Sequence, residues 1–154
     1  MTIRIPSNFA APILVVEDSD EDFDSLREAA AAAGVTRVIH RSTTGGDCLA
    51  LLRREGDVQL ALLPALILMD LNSYGVDGRE ALVAIKSDAG LKEIPVVVLT
   101  TSANPKDVDF CYQAGANAYH VKPVRHDQYA LLLRSLMQYW LESVTLQACR
   151  AKSD

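Results

Sequence analysis

Cysteine is scarce in this sequence, and its few cysteines form no recognisable pattern. Cys48, Cys111 and Cys149 are far apart, and no two of them have the close spacing of a redox or zinc motif. An odd number of isolated cysteines argues against the disulfide framework of a small secreted domain. We therefore expect a protein of a reducing compartment, in which the cysteines serve packing.

The sequence also contains no apolar segment long enough to cross a membrane. Its longest apolar run, LALLPALILM, is far shorter than the roughly 20 residues that a spanning helix needs, and Pro64 interrupts it. The N-terminal stretch MTIRIPSNFAAP has no uninterrupted apolar core, so it does not resemble a signal peptide. We predict no membrane partner and a cytoplasmic location.

Basic residues are fewer than acidic ones. The chain has 15 lysines and arginines against 20 aspartates and glutamates, which gives a formal net charge of −5. An acidic protein attracts nucleic acid and anionic membranes only weakly, so we expect neither as a partner. A length of 154 residues and a hydrophobic content of 49% are typical of one globular domain.

Short apolar runs alternate with amphipathic segments along the chain. Five runs are predicted as strands, at residues 13–16, 36–42, 65–70, 94–102 and 117–123. Four of the intervening helices are predicted to start at capping residues, namely Ser19, Thr44, Asp77 and Asn104. This alternation predicts an α/β fold, a doubly wound five-stranded parallel sheet of the flavodoxin-like (βα)5 kind, with an extended C-terminal helix.

The boundaries of the predicted domain follow from the same pattern. We assign residues 1–11 to an N-terminal tail, 12–141 to the α/β domain and 142–154 to a C-terminal extension. Only 14 residues follow Trp140, which is too few for a DNA-binding output domain. We therefore predict no output domain and no direct contact with nucleic acid.

Charged and polar side chains follow the predicted strands at their carboxyl ends. Glu17 and Asp18 follow the first strand, Asp70 ends the third, Thr100 lies in the fourth and Lys122 in the fifth. In a parallel sheet these ends meet at one edge, where ligands bind. Three acids placed together repel each other unless a cation lies among them.

A magnesium ion is the natural cation for such a site. Mg²⁺ prefers oxygen ligands in octahedral geometry, retains several waters and takes one or two carboxylates. Asp18, Asp70, the backbone carbonyl of Asn72 and water would complete its coordination. A carboxylate beside a metal, a lysine and a hydroxyl is suited to accept a phosphoryl group, since an aspartate can attack phosphorus to form an acyl phosphate.

Four motifs in order, VVEDS, LILMDLNSYGVDG, VVVLTTS and YHVKP, resemble the receiver domain of two-component response regulators. The resemblance runs from about Ile13 to Trp140. The intervals of 30 residues from Asp70 to Thr100 and of 22 residues from Thr100 to Lys122 are similar to those of that family. The resemblance implies that Asp70 is the phosphorylated aspartate.

The same resemblance implies a role for each of the other site residues. Glu17 and Asp18 match the acidic pair that helps to hold Mg²⁺. Thr100 matches the switch hydroxyl that moves onto the phosphoryl group, and Tyr119 the aromatic residue that moves inward with it. Lys122 matches the lysine that pairs with the phosphoryl group. The protein would thus be a phosphoryl acceptor with at most slow autodephosphorylation, and not an enzyme.

A narrower resemblance concerns the partner. The stretches DLN and DGREAL, IPVVVLTTS and YWLESVTL resemble single-domain regulators of phytochrome histidine kinases. This implies a sensor histidine kinase, of the bacteriophytochrome type, as the partner. It also implies a homodimer formed through the face made by the fourth helix, the fifth strand and the fifth helix, whose surface would switch on phosphorylation.

The apolar side chains at the end of the last helix leave two interpretations open. Trp140, Leu141 and Val144 lie beyond the point where a receiver helix needs to end. An exposed apolar strip of this kind is rare in monomers and would form an interface. Alternatively, this segment folds back onto its own sheet.

Two local departures from the family pattern and one feature shared with the family lead to specific expectations. Ser73-Tyr74-Gly75 stands where many receivers carry a proline, which implies a mobile loop. Arg125 is a poor capping residue, so the last helix is expected to begin at Asp127 or to fray. The bond between Lys122 and Pro123 is expected to be cis, as is common in receivers.

Two other functions compete with the receiver hypothesis. A phosphatase of the haloacid-dehalogenase kind also uses an aspartyl nucleophile, in a DxDxT motif. Here Asn72 stands where that motif has its second aspartate, so the general acid is missing. A pseudo-receiver would keep the fold as a protein-binding module without being phosphorylated. An incomplete site would favour that reading, and this site is complete.

Overall fold

The structure is a computed structural model that describes residues 10–53, 62–72 and 77–147. The loop at Ser73-Tyr74-Gly75 and Cys149 lie outside the described residues, and so does most of the predicted tail. Within the described segments, no helix is both long and apolar enough to cross a membrane.

Five parallel strands form one sheet, as the sequence predicts. They are β1 (Ile13–Val16), β2 (Ile39–Ser42), β3 (Leu66–Met69), β4 (Val96–Thr100) and β5 (Ala118–Val121). Their order is β2-β1-β3-β4-β5, and every neighbouring pair is parallel. The predicted doubly wound fold is therefore confirmed, although β2, β3, β4 and β5 are shorter than predicted.

Five α-helices connect or follow these strands. They are α1 (Asp20–Ala32), α2 (Gly45–Leu52), α3 (Gly78–Ser87), α4 (Pro105–Ala114) and α5 (His126–Gln138). The predicted capping residues are confirmed, because the side chains of Ser19, Thr44, Asp77 and Asn104 each accept a hydrogen bond from a backbone N–H in the first turn. These bonds satisfy N–H groups that have no partner inside the helix.

The last helix differs from the prediction at both ends. It begins at His126, one residue before the predicted start, and Arg125 caps it without a side-chain hydrogen bond. The α-helix ends at Gln138 and continues as one π-helical turn to Ser143. The extended backbone of Val144 then ends the helical stretch, so the C-terminal α-helix is shorter than predicted.

Two apolar clusters cover the two faces of the sheet. On one face, α2, α3 and α4 pack on the strands through buried residues such as Leu82 and Cys111. On the other face, α1 and α5 pack through Leu26 and Leu133. Because alternate strand residues point to opposite faces, β1 and β3 are buried throughout.

Gly78 brings the start of α3 against the end of β3. Its N–H donates to the carbonyl of Leu71 at 3.2 Å. A Cβ atom at this position would lie 2.5 Å from the carbonyl oxygen of Asp70 and 2.7 Å from the Cα of Leu71. Only glycine allows this close approach, which fixes the backbone of Asp70.

We expect Gly78→Ala to lower the free energy of unfolding by about 1–3 kcal/mol, because a methyl group would collide with fixed backbone atoms. The measurement is urea denaturation of the wild type and the variant. Gly90→Ala is the matched control, since the nearest atom to a Cβ there is a carboxylate oxygen of Asp88 at 3.3 Å. Equal stability of the two variants would contradict the proposed close packing at Gly78.

Candidate functional site

The parallel register brings three carboxylates together at the carboxyl edge of the sheet. Val16, at the end of β1, pairs with Met69 at the end of β3. Glu17 and Asp70 follow these two residues, and both are buried. Oxygen atoms of Glu17, Asp18 and Asp70 all lie within 4.8 Å of one another. The structure thus brings together the acidic residues that the sequence predicts.

The ammonium group of Lys122 lies in the middle of this acidic cluster. Its Nζ donates to Oε1 of Glu17 at 2.6 Å, to Oδ2 of Asp22 at 2.9 Å and to Oδ2 of Asp70 at 3.0 Å. Its backbone N–H donates to the carbonyl of Thr100 at 2.7 Å, which joins it to β4. The side chain is only 5% exposed, so these contacts replace its hydration.

The expectation of a cis bond between Lys122 and Pro123 is wrong. The described part of the chain contains no cis peptide bond. The expectation came from the family resemblance alone. The trans form is the intrinsically favoured isomer of a bond that precedes proline.

Burial and charge act in opposite directions at this site. Burial by itself would lower the pKa of Lys122, but its hydrogen bonds to Glu17 and Asp22 and the charge of Asp70 raise the pKa overall. Burial raises the pKa of Glu17, and its interaction with Asp70 adds to that effect. Partial burial opposes ionisation of Asp22, yet the hydrogen bond from Lys122 leaves the pKa of Asp22 below its usual value. Lys122 therefore favours the ionised form of Asp22, but it offsets only part of the effect of burial on Glu17, whose pKa stays raised, at about 9.

The donor set fits a divalent cation that prefers oxygen. Oε2 of Glu17 is buried and accepts no hydrogen bond. A buried carboxylate oxygen without a partner costs free energy. Glu17, Asp18 and Asp70 present oxygen atoms only, and such ligands suit Mg²⁺ or Mn²⁺.

The backbone after β3 holds the Asp70 carboxylate from the other side. The N–H of Asn72 donates to Oδ1 of Asp70 at 3.0 Å, while Lys122 binds Oδ2. The side-chain amide of Asn72 donates to Oγ1 of Thr100 at 3.1 Å. Coordination by the backbone carbonyl of Asn72 stays a prediction.

Thr100 and Tyr119 lie close to the site and are joined through the loop after β4. Thr100 is fully buried, and its Oγ1 also accepts a hydrogen bond from the N–H of Ser102 at 3.4 Å. The hydroxyl of Tyr119 donates to the carbonyl of Ser102 at 2.8 Å. The two predicted switch residues thus contact the same intervening residue.

Sequence reasoning missed two parts of the site. It gave no role to Asp22, whose backbone N–H binds the Ser19 side chain and whose carboxylate contacts Lys122. It also gave no role to Asp107, which accepts a hydrogen bond from the hydroxyl of Ser102. Neither side chain stands at the end of a predicted strand, which was the signal that identified the others.

The predicted interface residues follow α5, with Trp140 and Leu141 in the π-helical turn and Val144 directly after it. Trp140 and Leu141 are half-buried and pack against the apolar cluster of α1 and α5. The ring of Trp140 makes an edge contact with Tyr139 at 5.5 Å between centroids. Gln147 donates to Glu93, which precedes β4, so this segment runs back along the amino edge of the sheet. Val144 is half-buried as well.

The parallel sheet and the buried lysine among carboxylates define the class of this protein as an α/β domain with an acidic site at the carboxyl edge of the sheet. The response regulator receiver domain family matches residues 13–134, and the chain belongs to that family. The family predicted from the sequence is thereby confirmed.

Similar proteins narrow the class further. The chain is 37% identical over 142 residues to the response regulator Rcp1 of Synechocystis sp. (strain ATCC 27184 / PCC 6803 / Kazusa), covering 92% of this chain and 97% of Rcp1. It superimposes on the phosphorylated cyanobacterial phytochrome response regulator RcpA with a TM-score of 0.85 and 38% identity, covering 90% of this chain and 99% of RcpA. The Mn²⁺-bound form of Rcp1 gives a TM-score of 0.85 and 36% identity with the same coverage. The protein is thus a response regulator receiver related to phytochrome response regulators.

We expect Lys122→Met to lower the free energy of unfolding by about 3 kcal/mol or more at pH 8 without divalent cations, because it leaves buried carboxylates without their counter-charge. These carboxylates would then have raised pKa values in the fold. Stability is lost as the pH rises through a raised pKa, so the deficit should shrink as the pH falls. Urea denaturation of the wild type and the variant at several pH values measures this difference in the free energy of unfolding.

Lys86→Met is the matched control for Lys122→Met. The ammonium of Lys86 binds the backbone carbonyls of Lys92 and Ile94, at 3.0 and 2.8 Å. Its removal leaves no charge unpaired, and we expect a loss of about 1 kcal/mol. Similar deficits for the two variants at every pH would contradict the role assigned to Lys122.

Proposed function

We propose that this protein accepts a phosphoryl group from a sensor histidine kinase on the carboxylate of Asp70. The observation that supports this most directly is the buried ammonium of Lys122, which joins Asp70 to Glu17 and Asp22. The carboxylate of Asp70 thus lies at the carboxyl end of β3 with the positive charge of Lys122 beside it. Such a group can act as a nucleophile while the positive charge stabilises the oxygens of the incoming phosphoryl group.

The transfer step is a substitution at phosphorus. An oxygen of Asp70 attacks the phosphorus atom of the kinase's phosphohistidine and forms a P–O bond. The P–N bond breaks, its electron pair stays on the imidazole nitrogen, and that nitrogen takes up a proton from water. The product is an acyl phosphate on Asp70. Lys122, already 3.0 Å from the carboxylate, pairs with the transferred group.

Glu17, Asp18 and Asp70 would hold the divalent cation in this proposal. When bound, Mg²⁺ would neutralise charge that builds up on the phosphoryl oxygens. The backbone N–H of Asn72 orients Asp70 by binding Oδ1. Lys122 then keeps Glu17 and Asp70 close together in the absence of substrate, so that catalysis consists of positioning and charge neutralisation.

The response to phosphorylation is a change in the surface made by α4, β5 and α5. Thr100 would exchange its present hydrogen bonds for one to the phosphoryl group, and Tyr119 would move inward. Phosphorylation adds nearly two negative charges and three acceptor oxygens. The relatives Rcp1 and RcpA support a phytochrome-type kinase as the donor.

The residue two positions after Asp70, Asn72, argues against a phosphatase function. Asn72 carries an amide, which donates to Thr100 and has no acidic proton for a leaving group. The chemistry therefore ends at the acyl phosphate, apart from slow hydrolysis by water. We assign the protein the role of a phosphoryl acceptor.

Incubation with acetyl phosphate and Mg²⁺ should add one phosphoryl group to the wild type and none to Asp70→Asn. The amide of the variant cannot form an acyl phosphate. Intact mass spectrometry measures the gain, and a parallel sample with excess chelator should show none. The same pair should be tested with an autophosphorylated phytochrome-type histidine kinase.

Asp109→Asn is the matched control for Asp70→Asn, because it removes an exposed carboxylate from α4. It should gain a phosphoryl group as the wild type does. If neither donor modifies the wild type, the protein is a pseudo-receiver. Modification of Asp70→Asn would place the acceptor on another residue.

We also propose that the protein forms a homodimer through the face of α4, β5 and α5. β5 is an edge strand of the sheet. Exposed apolar side chains accompany it, namely Val121 on β5 and Phe110 and Tyr112 on α4. Trp140, Leu141 and Val144, the interface residues predicted from the sequence, follow α5 and are half-buried, and the first two pack within their own chain. The apolar contact of this proposal therefore depends on Val121, Phe110 and Tyr112.

Val121→Asp should weaken dimerisation about tenfold or more, because it places an unpaired charge in an apolar contact. Light scattering over a concentration series measures the effect, with and without acetyl phosphate. Val83→Asp is the matched control, since Val83 is exposed to a similar degree, 42% against 39%, but lies on α3. Equal effects of the two substitutions would argue against this face.

A further inference from the structure

The backbone N–H, the backbone carbonyl and the hydroxyl of Ser102 all form hydrogen bonds. Its N–H donates to Oγ1 of Thr100, its carbonyl accepts from the hydroxyl of Tyr119, and its hydroxyl donates to Oδ2 of Asp107 at 2.5 Å. The Ser102 hydroxyl also accepts from the N–H of Asn104 at 3.3 Å. One residue in the loop after β4 therefore connects both switch residues to the start of α4.

Asp107 is in turn fixed by an arginine from a different helix. Nε and Nη2 of Arg79 both donate to Oδ1 of Asp107, at 3.0 and 2.9 Å. Nη1 of Arg79 donates to both oxygens of Asp77, the residue that caps α3. The hydroxyl of Ser102 and the guanidinium of Arg79 hold the pKa of Asp107 below its usual value, so this carboxylate is ionised near neutral pH.

We propose that Asp107 and Arg79 are positioning residues that, through Ser102, hold Thr100 and Tyr119 in their unphosphorylated arrangement. We call these two side chains, together with Ser102, the latch. This inference rests on the proposed function, because it concerns the balance between the two states of that same switch.

The hydrogen bonds of Thr100 explain how the latch acts. To bind a phosphoryl group on Asp70, the hydroxyl of Thr100 must give up its contacts with Asn72 and Ser102. Ser102 cannot follow this movement freely while its hydroxyl is bound to Asp107. An interaction that exists in only one of two conformations raises the free energy of the other by its own strength.

The contacts of the latch stabilise the unphosphorylated arrangement by a modest free energy, which is enough to shift the balance between the two states of the switch. Single ion pairs on a protein surface contribute little, whereas an arginine contact that belongs to a network of charge-assisted hydrogen bonds contributes more. The side chains of Arg79 and Asp107 are only 28% and 21% exposed. The latch also joins the starts of α3 and α4, so it acts on the loop from a rigid base.

We expect Asp107→Ala to raise the rate of phosphorylation by acetyl phosphate about three- to tenfold, since the active arrangement loses a competitor. The rate is measured by intact mass at limiting acetyl phosphate with saturating Mg²⁺. Arg79→Met should raise the rate in the same direction. A purely structural role would lower both stability and rate, so a rise in rate with reduced stability is specific to the latch.

Asp127→Ala is the matched control. Asp127 also lies in the first turn of a helix at the carboxyl edge, and it forms an exposed pair with Arg125 at 2.9 Å. Its loss should leave the rate unchanged. A second control combines Asp107→Ala with Thr100→Ala. The gain should disappear in this background, because the latch acts through the Thr100 hydroxyl.

The outcomes separate the latch from the function on which it rests. If the wild type is phosphorylated but Asp107→Ala is phosphorylated at the same rate or more slowly, the latch is overturned and the proposed function is not. A gain that persists without the Thr100 hydroxyl would also overturn it. A wild type that takes no label from any donor would overturn the proposed function, and the latch with it.

Discussion

The buried ammonium of Lys122 is the interaction on which the site depends. It joins β5 to Asp70 after β3, to Glu17 after β1 and to Asp22 in α1. Four carboxylates, those of Glu17, Asp18, Asp22 and Asp70, would otherwise repel one another across the carboxyl edge. In an interior of low dielectric this repulsion is strong, and one well-placed cation offsets much of it.

The position of that ammonium follows from the strand order. β3 lies at the centre of the sheet between β1 and β4, so the acidic ends of β1 and β3 are adjacent. Lys122 comes from the far edge strand, and its long side chain reaches across the end of β4. The close contact at Gly78 then keeps the Asp70 backbone against the start of α3. A change in strand register would separate these groups.

Sequence reasoning identified the parts of the site that stand directly at strand ends. Glu17, Asp70 and Lys122 could be found because apolar strands end abruptly at charged residues, and parallel strands share one edge. Asp22 could not be found, because its place in the first turn of α1 already had an explanation as a helix start. The latch depends on the relative placement of α3 and α4, and a pattern along one helix carries no information about that. The end of α5 was misjudged for a similar reason, since its amphipathic pattern continues through a π-helical turn.

The same charge balance explains why the hydroxyl of Thr100 can act as the switch group and why the Arg79–Asp107 ion pair that restrains it lies outside the acidic cluster. Lys122 already serves the carboxylates, so a phosphoryl group on Asp70 would compete with Glu17 and Asp22 for it. Further donors must come from groups that are not tied to that cluster. Thr100 is such a group, and its present partners are neutral amides that it can exchange at low cost. A cationic donor in its place would bind the acidic cluster permanently. The restraint on Thr100 is therefore best placed outside the cluster, at Arg79 and Asp107, where it can be overcome by phosphorylation without disturbing Lys122.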